Sequence, residues 1–195
     1  MRFEQAATAV ASDLDRLELG YALIGGFAVS IRTDPRFTQD IDLVVAVTDD
    51  DAAELAVHRL VESGYAILAV VEHEAQNRLA TARLELPGGV WVVDLLFASS
   101  GMEREIVDAA DRIEVVPGLR LPVASVGHLI ALKLLARDDD TRPQDSADLR
   151  ALVGVANEEE VLEARDAVDL IGARGYARGR DLGADLRALL ADTAG

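Results

Sequence analysis

Hydrophobic and polar positions change their period along the chain, and each period predicts a different kind of element. Residues 3–18 carry apolar side chains every three or four positions, which predicts an amphipathic helix that ends at Gly20. The short apolar runs at residues 21–24 and 40–47 predict buried strands. Between them, the sequence predicts a helix that begins at two glycines and continues to about Ile31. The chain therefore opens with helix, strand, helix and strand.

The middle of the chain is predicted to contain both helices and strands. Thr48 and the three aspartates after it predict a helix start, because acidic side chains in a first turn face the positive end of the helix dipole. Strands are predicted at residues 65–71, 78–86, 90–97 and 113–116. The Pro-Gly-Gly sequence at residues 87–89 predicts a hairpin between two of them. A further helix is predicted over residues 102–110.

The pattern changes near residues 117–122, where two prolines and a glycine lie close together. From residue 121 onward the helical period dominates, with helices predicted at residues 125–137, 144–154, 157–172 and 180–192. Asn157 and Glu160 have the spacing of a capping box. We therefore place a boundary between residues 1–120 and a helical region over residues 121–195.

Composition limits the classes of protein to which the sequence can belong. The chain has 195 residues, of which 50% are hydrophobic, and this suits one compact domain or a domain with a small appendage. It has no cysteine, so disulfides, a thiol nucleophile and a cysteine-based zinc site are excluded. We find no signal peptide and no apolar run long enough for a bilayer, and expect a cytoplasmic protein without a membrane partner. The net charge of −16 argues against broad nucleic-acid binding but leaves room for a local basic patch.

Two glycines and two aspartates form the clearest chemical pattern. Asp40 and Asp42 are two positions apart at the start of a predicted strand, so their side chains share one face of it. Two such carboxylates repel each other unless a cation lies between them, and Mg²⁺ suits oxygen ligands that leave room for substrate phosphates. Gly25 and Gly26 lack Cβ atoms, so a helix start there can bring N–H groups close to a phosphate. Together these residues predict a site for a metal ion and a triphosphate.

Gly-Gly followed by Asp-x-Asp resembles the signature of the nucleotidyltransferase superfamily, which has the polymerase-β-like fold. The run over residues 36–43, Arg-Phe-Thr-Gln-Asp-Ile-Asp-Leu, is similar to the form in the AbiEii/AbiGii-type nucleotidyltransferase toxins. The superfamily often has Gly-Ser where this chain has two glycines. The resemblance covers about residues 20–150 and implies an α+β fold: a mixed sheet flanked by helices, with the helical C-terminal region packed against a catalytic domain. It also implies that Arg36 and Thr38 join Gly25 and Gly26 in binding the nucleotide.

Asp94 lies in the otherwise apolar run over residues 90–97. A lone carboxylate in a buried strand is unfavourable unless it is paired, hydrogen-bonded or bound to a cation. In the superfamily a third carboxylate lies on a later strand beside the Asp-x-Asp strand, and Asp94 resembles it in position and context. The resemblance implies that Asp94 is a metal ligand, with Asp40 and Asp42, and the general base toward the attacking hydroxyl. The alternative is an aspartate at a strand end that is paired with an arginine.

Lys133 is the only lysine in the chain, and it lies in an otherwise apolar helical run. A compact ammonium can reach a single phosphate oxygen in a way that a planar guanidinium does badly. A helix lysine that extends its charge to solvent is the alternative. AbiEii-like proteins have a lysine in a similar helix, which implies that Lys133 binds the nucleotide and takes part in catalysis.

Asp148 belongs to a segment, residues 142–149, that resembles the Arg-x-Lys-Asp-x-x-Asp-Leu segment of the same family. Two positions differ, and the usual lysine before the first aspartate is missing. The resemblance implies a catalytic role for Asp148, either orienting Lys133 or orienting the acceptor. Asp145 and Asp148 lie one turn apart at a predicted helix start, so capping of that helix is the alternative.

The resemblance implies transfer of a nucleoside monophosphate from an NTP to a hydroxyl group, with two Mg²⁺ ions, or Mn²⁺, as cofactors. The toxin relatives imply an RNA acceptor, at the 3′ end of tRNA, and a cognate antitoxin protein as a partner. A small-molecule acceptor, as in the aminoglycoside nucleotidyltransferases, is the first alternative, and the acidic chain would suit a cationic drug. The second alternative is a protein of this fold that binds nucleotide or a partner without turnover.

Residues 172–180 form a basic segment in an acidic chain. Arg174, Arg178 and Arg180, with Tyr176 between them, could grip a phosphate backbone or stack on a base. A flexible loop between two helices is the alternative. The three histidines share no metal-ligand spacing, so no site is assigned to them.

Overall fold

The computed structural model describes residues 2–34, 40–73, 76–137 and 143–193, and these form eight helices and seven strands. The helices are α1 (Phe3–Arg16), α2 (Gly25–Arg32), α3 (Asp50–Glu62), α4 (Glu103–Asp108), α5 (Val126–Ala136), α6 (Pro143–Val155), α7 (Glu158–Ala173) and α8 (Leu182–Thr193). The strands are β1 (Gly20–Leu23), β2 (Ile41–Ala46), β3 (Ala66–His73), β4 (Arg78–Glu85), β5 (Val92–Leu96), β6 (Asp111–Val116) and β7 (Leu119–Val123). None of these helices is both long enough and apolar enough to cross a membrane.

All seven strands belong to one mixed sheet, in the order β3-β4-β5-β2-β1-β7-β6. At its centre, β2 pairs in parallel with β5 and antiparallel with β1. The antiparallel pairing of β4 with β5 confirms the hairpin predicted from the Pro-Gly-Gly turn. The predicted α+β fold class is confirmed.

Burial along β2 follows the alternation of its side chains. Ile41 and Leu43 are 1% and 2% exposed, as the strand period predicts. Val44 and Val45 are buried as well, so both faces of the strand are covered at this point. Helices α2 and α4 both pack against β2. The aspartate between Ile41 and Leu43 is thereby carried on a rigid, central strand.

Several helix starts follow the capping signals in the sequence. The side chain of Asp49 accepts a hydrogen bond from the first turn of α3, and Ser125 does the same for α5. Asn157 and Glu160 form the predicted capping box of α7, with both hydrogen bonds present. Each side chain satisfies a backbone N–H that has no partner within the helix.

Strand β7 was not predicted, and it runs across the boundary that we placed between residues 120 and 121. It pairs with β1 and β6, so it is an internal strand of the sheet. The segment was taken for a linker because it is short and contains Pro122. In the structure, however, the side chain of Leu121 is buried. Helical structure starts later, at Val126. The division into two domains stays a prediction.

The end of β7 is fixed to two other elements by hydrogen bonds. Ala124 N donates to Leu23 O at the end of β1, at 3.0 Å. Arg32, the last residue of α2, donates from Nε to Ala124 O and from Nη2 to Val123 O, both at 3.0 Å. The chain therefore enters α5 from a backbone position that β1 and α2 both hold.

Candidate active site

Asp42 and Asp94 lie opposite each other on neighbouring strands. The parallel register of β2 and β5 aligns Asp42 with Asp94. Residues in register on adjacent strands point to the same face of a sheet, with their backbones roughly 5 Å apart. Both residues line a cavity of about 710 Å³. The sheet therefore brings two of the predicted carboxylates into one site.

The carboxyl group of Asp42 is in an environment that disfavours its negative charge. Burial, followed by the charges of Asp94 and Asp40, raises the pKa of Asp42 from 3.8 to about 6. Lys133 and Arg83 act in the opposite direction and limit this rise in pKa. A cation beside Asp42 would offset both the repulsion and the loss of water around the carboxylate.

Arg83 supplies positive charge to two of these carboxylates. It lies on β4 directly opposite Asp94, and its Nη1 donates to Asp94 Oδ2 at 3.0 Å. Its Nη2 donates to Asp40 Oδ1 at 3.3 Å. The side chain of Asp40 is 51% exposed, which places it at the margin of the site. For Asp94 we gave pairing with an arginine as the alternative to a site role. The structure shows both: Asp94 is paired with Arg83 and is also aligned with Asp42.

Gly25 brings the backbone of α2 directly against Asp42. Its φ of +67° is in the left-handed region, and a Cβ atom there would collide with the Asp42 carboxylate. Gly25 and Gly26 both line the cavity, so the predicted Gly-Gly turn lies beside the predicted aspartate. Arg36 and Thr38, which we also predicted to bind the nucleotide, lie outside the described residues.

Lys133 is held between two acidic side chains of α6. Its Nζ lies 2.7 Å from Asp145 Oδ1 and 2.8 Å from Asp148 Oδ2. The three side chains are 14%, 7% and 2% exposed, in the order Lys133, Asp145, Asp148. Lys133 and Asp145 line the cavity. The only lysine of the chain therefore faces the carboxylates of β2 and β5, and its charge lowers the pKa of Asp42.

Asp145 is a residue of this site that the sequence analysis treated only as a helix cap. Its Oδ2 atom is buried and has no hydrogen-bond partner among the described residues. The available signal was its spacing from Asp148, because residues three apart on a helix share one face. That face of α6 contacts Lys133 of α5. The packing of α6 against α5 is tertiary structure, which cannot be predicted from residue spacing alone.

Three arginines line the cavity from the helical part of the chain. Arg137 follows the last residue of α5, whereas Arg178 and Arg180 lie between α7 and α8. Arg180 Nη1 donates to Leu134 O at 2.8 Å and to Arg137 O at 3.2 Å, and its Nη2 donates to Asp185 Oδ2 at 2.6 Å. Arg180 therefore ties the segment between α7 and α8 to the end of α5.

Arg174 and Tyr176, from the same basic segment, are part of the packing of the protein. Arg174 Nη2 lies 2.6 Å from Glu105 Oε1, and the pair lowers the pKa of that carboxyl group. Tyr176 is 5% exposed, and its ring packs against the backbone of Gly101 and 4.6 Å from the His73 ring. A nucleic-acid base cannot stack on a ring that is covered in this way, so stacking on Tyr176 is not supported.

The oxygen donors of the cavity fit a hard divalent cation. Asp42 and Asp94 present carboxylates on one wall, and two carboxylates completed by water and substrate phosphates are a usual ligand set for Mg²⁺. Gly25 allows the backbone at the start of α2 to lie against the Asp42 carboxylate, and burial, followed by the charges of Asp94 and Asp40, raises the pKa of Asp42. Within residues 2–34, 40–73, 76–137 and 143–193, no group of three metal-binding side chains has the geometry to hold an ion, and Asp40 is directed at Arg83.

A family model matches nearly the whole chain. It is described as the nucleotidyl transferase AbiEii toxin of type IV toxin–antitoxin systems, and the match covers residues 10–194. The chain belongs to this family. The match confirms the resemblance seen in the Gly-Gly and Asp-x-Asp segments and makes this AbiEii-family protein a nucleotidyltransferase. No curated protein gives a match.

Solved structures show that the AbiEii-family protein shares the nucleotidyltransferase fold. An antigenic nucleotidyltransferase-like protein from Paracoccidioides brasiliensis is 21% identical, with a TM-score of 0.53 over 96% of this chain and 91% of that one. The antibiotic-resistance factor ANT(2″)-Ia is 18% identical in its solution structure, with a TM-score of 0.51 over 98% of this chain and 94% of that one. Its crystal structure with adenylyl-2″-tobramycin is 14% identical by alignment, with a TM-score of 0.51 over 95% and 97% of the two chains. At these identities the likeness concerns the fold.

Proposed function

We propose that this protein is a Mg²⁺-dependent nucleotidyltransferase that moves a nucleoside monophosphate from an NTP to a hydroxyl group of RNA, at the 3′ end of tRNA. The observation that carries the proposal is the alignment of Asp42 with Asp94 at a cavity that Gly25 and Lys133 also line. The cavity thus combines oxygen donors for a metal ion, backbone that can approach phosphates, and a cationic side chain.

Gly25 and Gly26 are proposed to bind the triphosphate of the NTP. Helix α2 begins at Gly25, and the N–H groups of a first helical turn have no partners within the helix. A side chain at position 25 would collide with the Asp42 carboxylate, so glycine is what allows this helix start to lie directly beside a proposed metal ligand. Arg36 and Thr38 are proposed to add contacts to the same nucleotide.

The proposed reaction is an in-line substitution at the α-phosphorus of the NTP. The acceptor oxygen forms a bond to this phosphorus, the bond from the phosphorus to the oxygen of the β-phosphate breaks, and pyrophosphate leaves. Asp94 is proposed to accept the proton of the acceptor hydroxyl, since it lies beside Asp42 on the cavity wall. Arg83, 3.0 Å from Asp94 Oδ2, would keep this carboxylate oriented.

Asp42 and Asp94, with Asp40, are the proposed metal ligands. When bound, Mg²⁺ (two ions are expected, and Mn²⁺ is a possible substitute) would neutralise charge on the attacking and leaving oxygens. Asp40 lies at the margin of the site, where its side chain is 51% exposed and one of its oxygens accepts a hydrogen bond from Arg83. This makes Asp42 and Asp94 the primary ligands in our proposal.

Lys133 is proposed to offset negative charge on the NTP, and Asp148 is proposed as a positioning residue. The Asp148 side chain is 2% exposed and lies 2.8 Å from Lys133 Nζ, so it restricts where the ammonium can go. Asp145 contacts the same ammonium and lines the cavity. Both acids would hold Lys133 toward the carboxylates of the sheet.

The test is transfer of label from each α-³²P-labelled NTP to total bacterial RNA in the presence of Mg²⁺. The wild-type protein is compared with Asp42→Asn, which removes the charge but keeps the shape of the side chain. Asp51→Asn is the matched control, because Asp51 is exposed on α3, outside the cavity lining. We expect label in tRNA-sized bands with wild type and with Asp51→Asn, and at least a 100-fold loss with Asp42→Asn.

Label that reaches RNA equally with wild type and Asp42→Asn would contradict the assignment of the active site. Absence of label in RNA, together with absence of pyrophosphate release from any NTP, would contradict nucleotidyl transfer by this cavity. Inhibition of translation by the wild-type protein and not by Asp42→Asn would support tRNA as the target.

A cationic small molecule is the second candidate acceptor, and the net charge of −16 favours it. The same assay with an aminoglycoside in place of RNA tests this candidate. Incorporation of label that requires the aminoglycoside and does not occur with RNA would replace RNA as the acceptor.

A cognate antitoxin is proposed as the protein partner, supported by the description of the family as part of type IV toxin–antitoxin systems. An enzyme that uses NTP and tRNA would act in the cytoplasm. Growth arrest on expression of the wild-type protein, relieved by co-expression of a cognate antitoxin, is the expected result. Growth arrest that persists in Asp42→Asn would show that toxicity does not arise from this cavity.

A further inference from the structure

Strand β3 forms one edge of the sheet and is exposed along almost its whole length. Among the described residues it pairs with β4 on one side, and the order of the strands places no strand on its other side. Every residue from 66 to 72 is exposed. Large apolar side chains with 50–55% exposure lie at Ile67, Leu68, Val70 and Val71. An edge strand of this kind carries backbone N–H and C=O groups that are free to pair with another strand.

The other edge of the same sheet carries charged residues. Strand β6 lies there, and its exposed side chains are Asp111, Arg112 and Glu114. Charges on an edge strand disfavour pairing with another chain, because pairing would remove them from water. Strand β3 has no charged residue from 66 to 71. The two edges therefore differ, and β3 is the edge that can accept a further strand.

The apolar side chains of β3 lie on both faces of the sheet. Val70 is paired with Ala82 of β4, and Val71 is paired with Thr81. Paired residues share a face and successive residues alternate, so Val70 and Val71 point to opposite faces. A helix or loop docked on the sheet would cover only one of these faces. A strand added at the edge places side chains beside both of them.

The charge of the chain limits which part of its surface can contact a second copy. Two copies, each with a net charge of −16, repel each other, and a contact through acidic surface would add to this repulsion. Residues 66–71 are uncharged, so two copies can meet there without charge at the contact. Strand β3 also matches the partner that it requires, because its own residues are apolar on both faces.

We infer that β3 is an interface between two copies of this chain, in which two β3 strands pair antiparallel and join the two sheets into one. A two-fold axis perpendicular to the sheet places one residue opposite its own copy. The register of β3 with β4 is continuous from Ala69 to Val71, so we place Val70 on the axis. The two Glu72 side chains are then roughly 14 Å apart, which avoids a direct repulsion. The inference is independent of the proposed transfer reaction.

Pairing of β3 with itself closes the assembly at two copies. Pairing of β3 with β6 of another copy would leave a free edge at each end, and the assembly would continue to grow. The charged side chains of β6 oppose that arrangement. One pair of short strands is a small interface, so we expect a dissociation constant of about 1–100 µM.

The test is the mass of the protein in solution, measured by light scattering and sedimentation velocity at concentrations below and above this range. We expect the wild-type mass to rise from 20.8 kDa to twice that value. Val70→Lys should weaken the dimer by at least about 30-fold, because two ammonium groups would meet at the axis. Val155→Lys is the matched control, since Val155 at the end of α6 is also 50% exposed, and it should dimerise as wild type.

A charge-swap experiment tests the register and separates binding from folding. Val70→Glu should be a single chain in solution like Val70→Lys, because like charges would again lie opposite each other. An equimolar mixture of the two variants should dimerise, since opposite charges then face each other across the axis. Recovery in the mixture requires that both variants are folded. A mixture that stays at the mass of one chain overturns the inference.

Salt should strengthen the dimer. It screens the repulsion between two acidic copies and leaves the apolar contact intact, so the dissociation constant should fall by at least about three-fold between low and high salt. A dimer that weakens as salt is added overturns the inference, because charged surface would then form the contact. A dimer that persists in Val70→Lys also overturns it. So does a wild-type protein that stays a single chain at every concentration, including the case in which β3 pairs with a different protein.

Discussion

Arg83 holds Asp94 from the neighbouring strand: its Nη1 lies 3.0 Å from Asp94 Oδ2, and the same guanidinium reaches Asp40 Oδ1 at 3.3 Å. The arginine is thus a positive group in direct contact with two of the three proposed metal ligands. A metal ion and Arg83 would neutralise the same carboxylates. The structure therefore predicts that the two cations influence each other.

Replacement of Arg83 by methionine should make the protein more dependent on Mg²⁺. The variant keeps much of the apolar stem but leaves Asp94 and Asp40 without this guanidinium, so the metal-free protein should lose about 1 kcal/mol of stability. Added Mg²⁺ should then raise the melting temperature more than it does in wild type, because the ion restores the missing charge. Arg59→Met removes an exposed arginine that pairs with Glu62 on α3, and it should leave the Mg²⁺ effect unchanged. Equal Mg²⁺-induced shifts in wild type and Arg83→Met would argue against metal binding at these carboxylates.

Gly25→Ala should remove activity through a collision with Asp42. The left-handed φ of +67° costs an alanine about 1–2 kcal/mol, and the new methyl group would displace the Asp42 carboxylate. Gly88→Ala is the matched control, because Gly88 has a φ of +101° but its Cβ would meet no atom within 4 Å. Thermal unfolding should show a comparable backbone effect in both variants. Nucleotide incorporation should fall at least 100-fold only in Gly25→Ala. An active Gly25→Ala variant would show that the active site does not require glycine at this position.

Asp42 should give the metal-free protein a characteristic dependence of stability on pH. Its pKa is about 6 in the folded protein and 3.8 as the ordinary value, so between these two pH values the folded state binds more protons than the unfolded state. Raising the pH from about 4 to above 6 should therefore lower the free energy of unfolding, by on the order of 2 kcal/mol from this group. Urea unfolding at a series of pH values in EDTA measures the slope. Asp42→Asn should remove this part of it, and a variant that retains the full wild-type slope would show that another group is responsible.

Mg²⁺ should stabilise the protein more at pH 7 than at pH 5. Binding of the ion requires the ionised carboxylate, and protons compete for Asp42 near its pKa of about 6. The difference between melting temperatures with and without Mg²⁺, measured at both pH values, tests the expectation. A larger metal effect at pH 5 would contradict it.

The contributions of Lys133, Asp145 and Asp148 to the free energy of unfolding should be coupled. Lys133→Met leaves two buried carboxylates without this ammonium and should lower the free energy of unfolding by about 3 kcal/mol. Asp148→Asn should also destabilise the protein, because one charge of the cluster is lost. The double variant should be less destabilised than the sum of the single ones, as measured by urea unfolding in a double-mutant cycle. Strict additivity would mean that the contact at 2.8 Å contributes little.

Local patterns were sufficient to predict most elements of the fold. The alternation at Ile41 and Leu43 identified β2, and the capping residues Asp49 and Asn157 marked the starts of α3 and α7. These signals act over a few residues. β7 was missed because a short strand that contains Pro122 has no such signal, and its place in the sheet comes from pairing with distant strands.

The sequence was sufficient to predict several residues of the candidate site, but not how they are arranged in space. The sequence indicated Asp42 and Asp94, but their alignment depends on which strands pair and in which register. The partnership of Asp145 with Lys133 depends on the packing of α6 against α5. Arg178 was one of several arginines in a basic segment, and only the fold shows that it lines the cavity while Arg174 binds Glu105.

The hydrogen bonds around Ala124 limit how the two walls of the cavity can move. Ala124 N binds Leu23 O, and Arg32 binds the carbonyl groups of Ala124 and Val123, directly before α5 begins. Moving the segment that leads into α5 away from the sheet would break these three bonds, at about 1 kcal/mol each. The point where the chain passes from sheet to helices is therefore a clamp and a poor hinge. Substrates should therefore enter without a large movement of this segment. The width of the cavity mouth would then limit the size of the group that can reach Asp42 and Asp94.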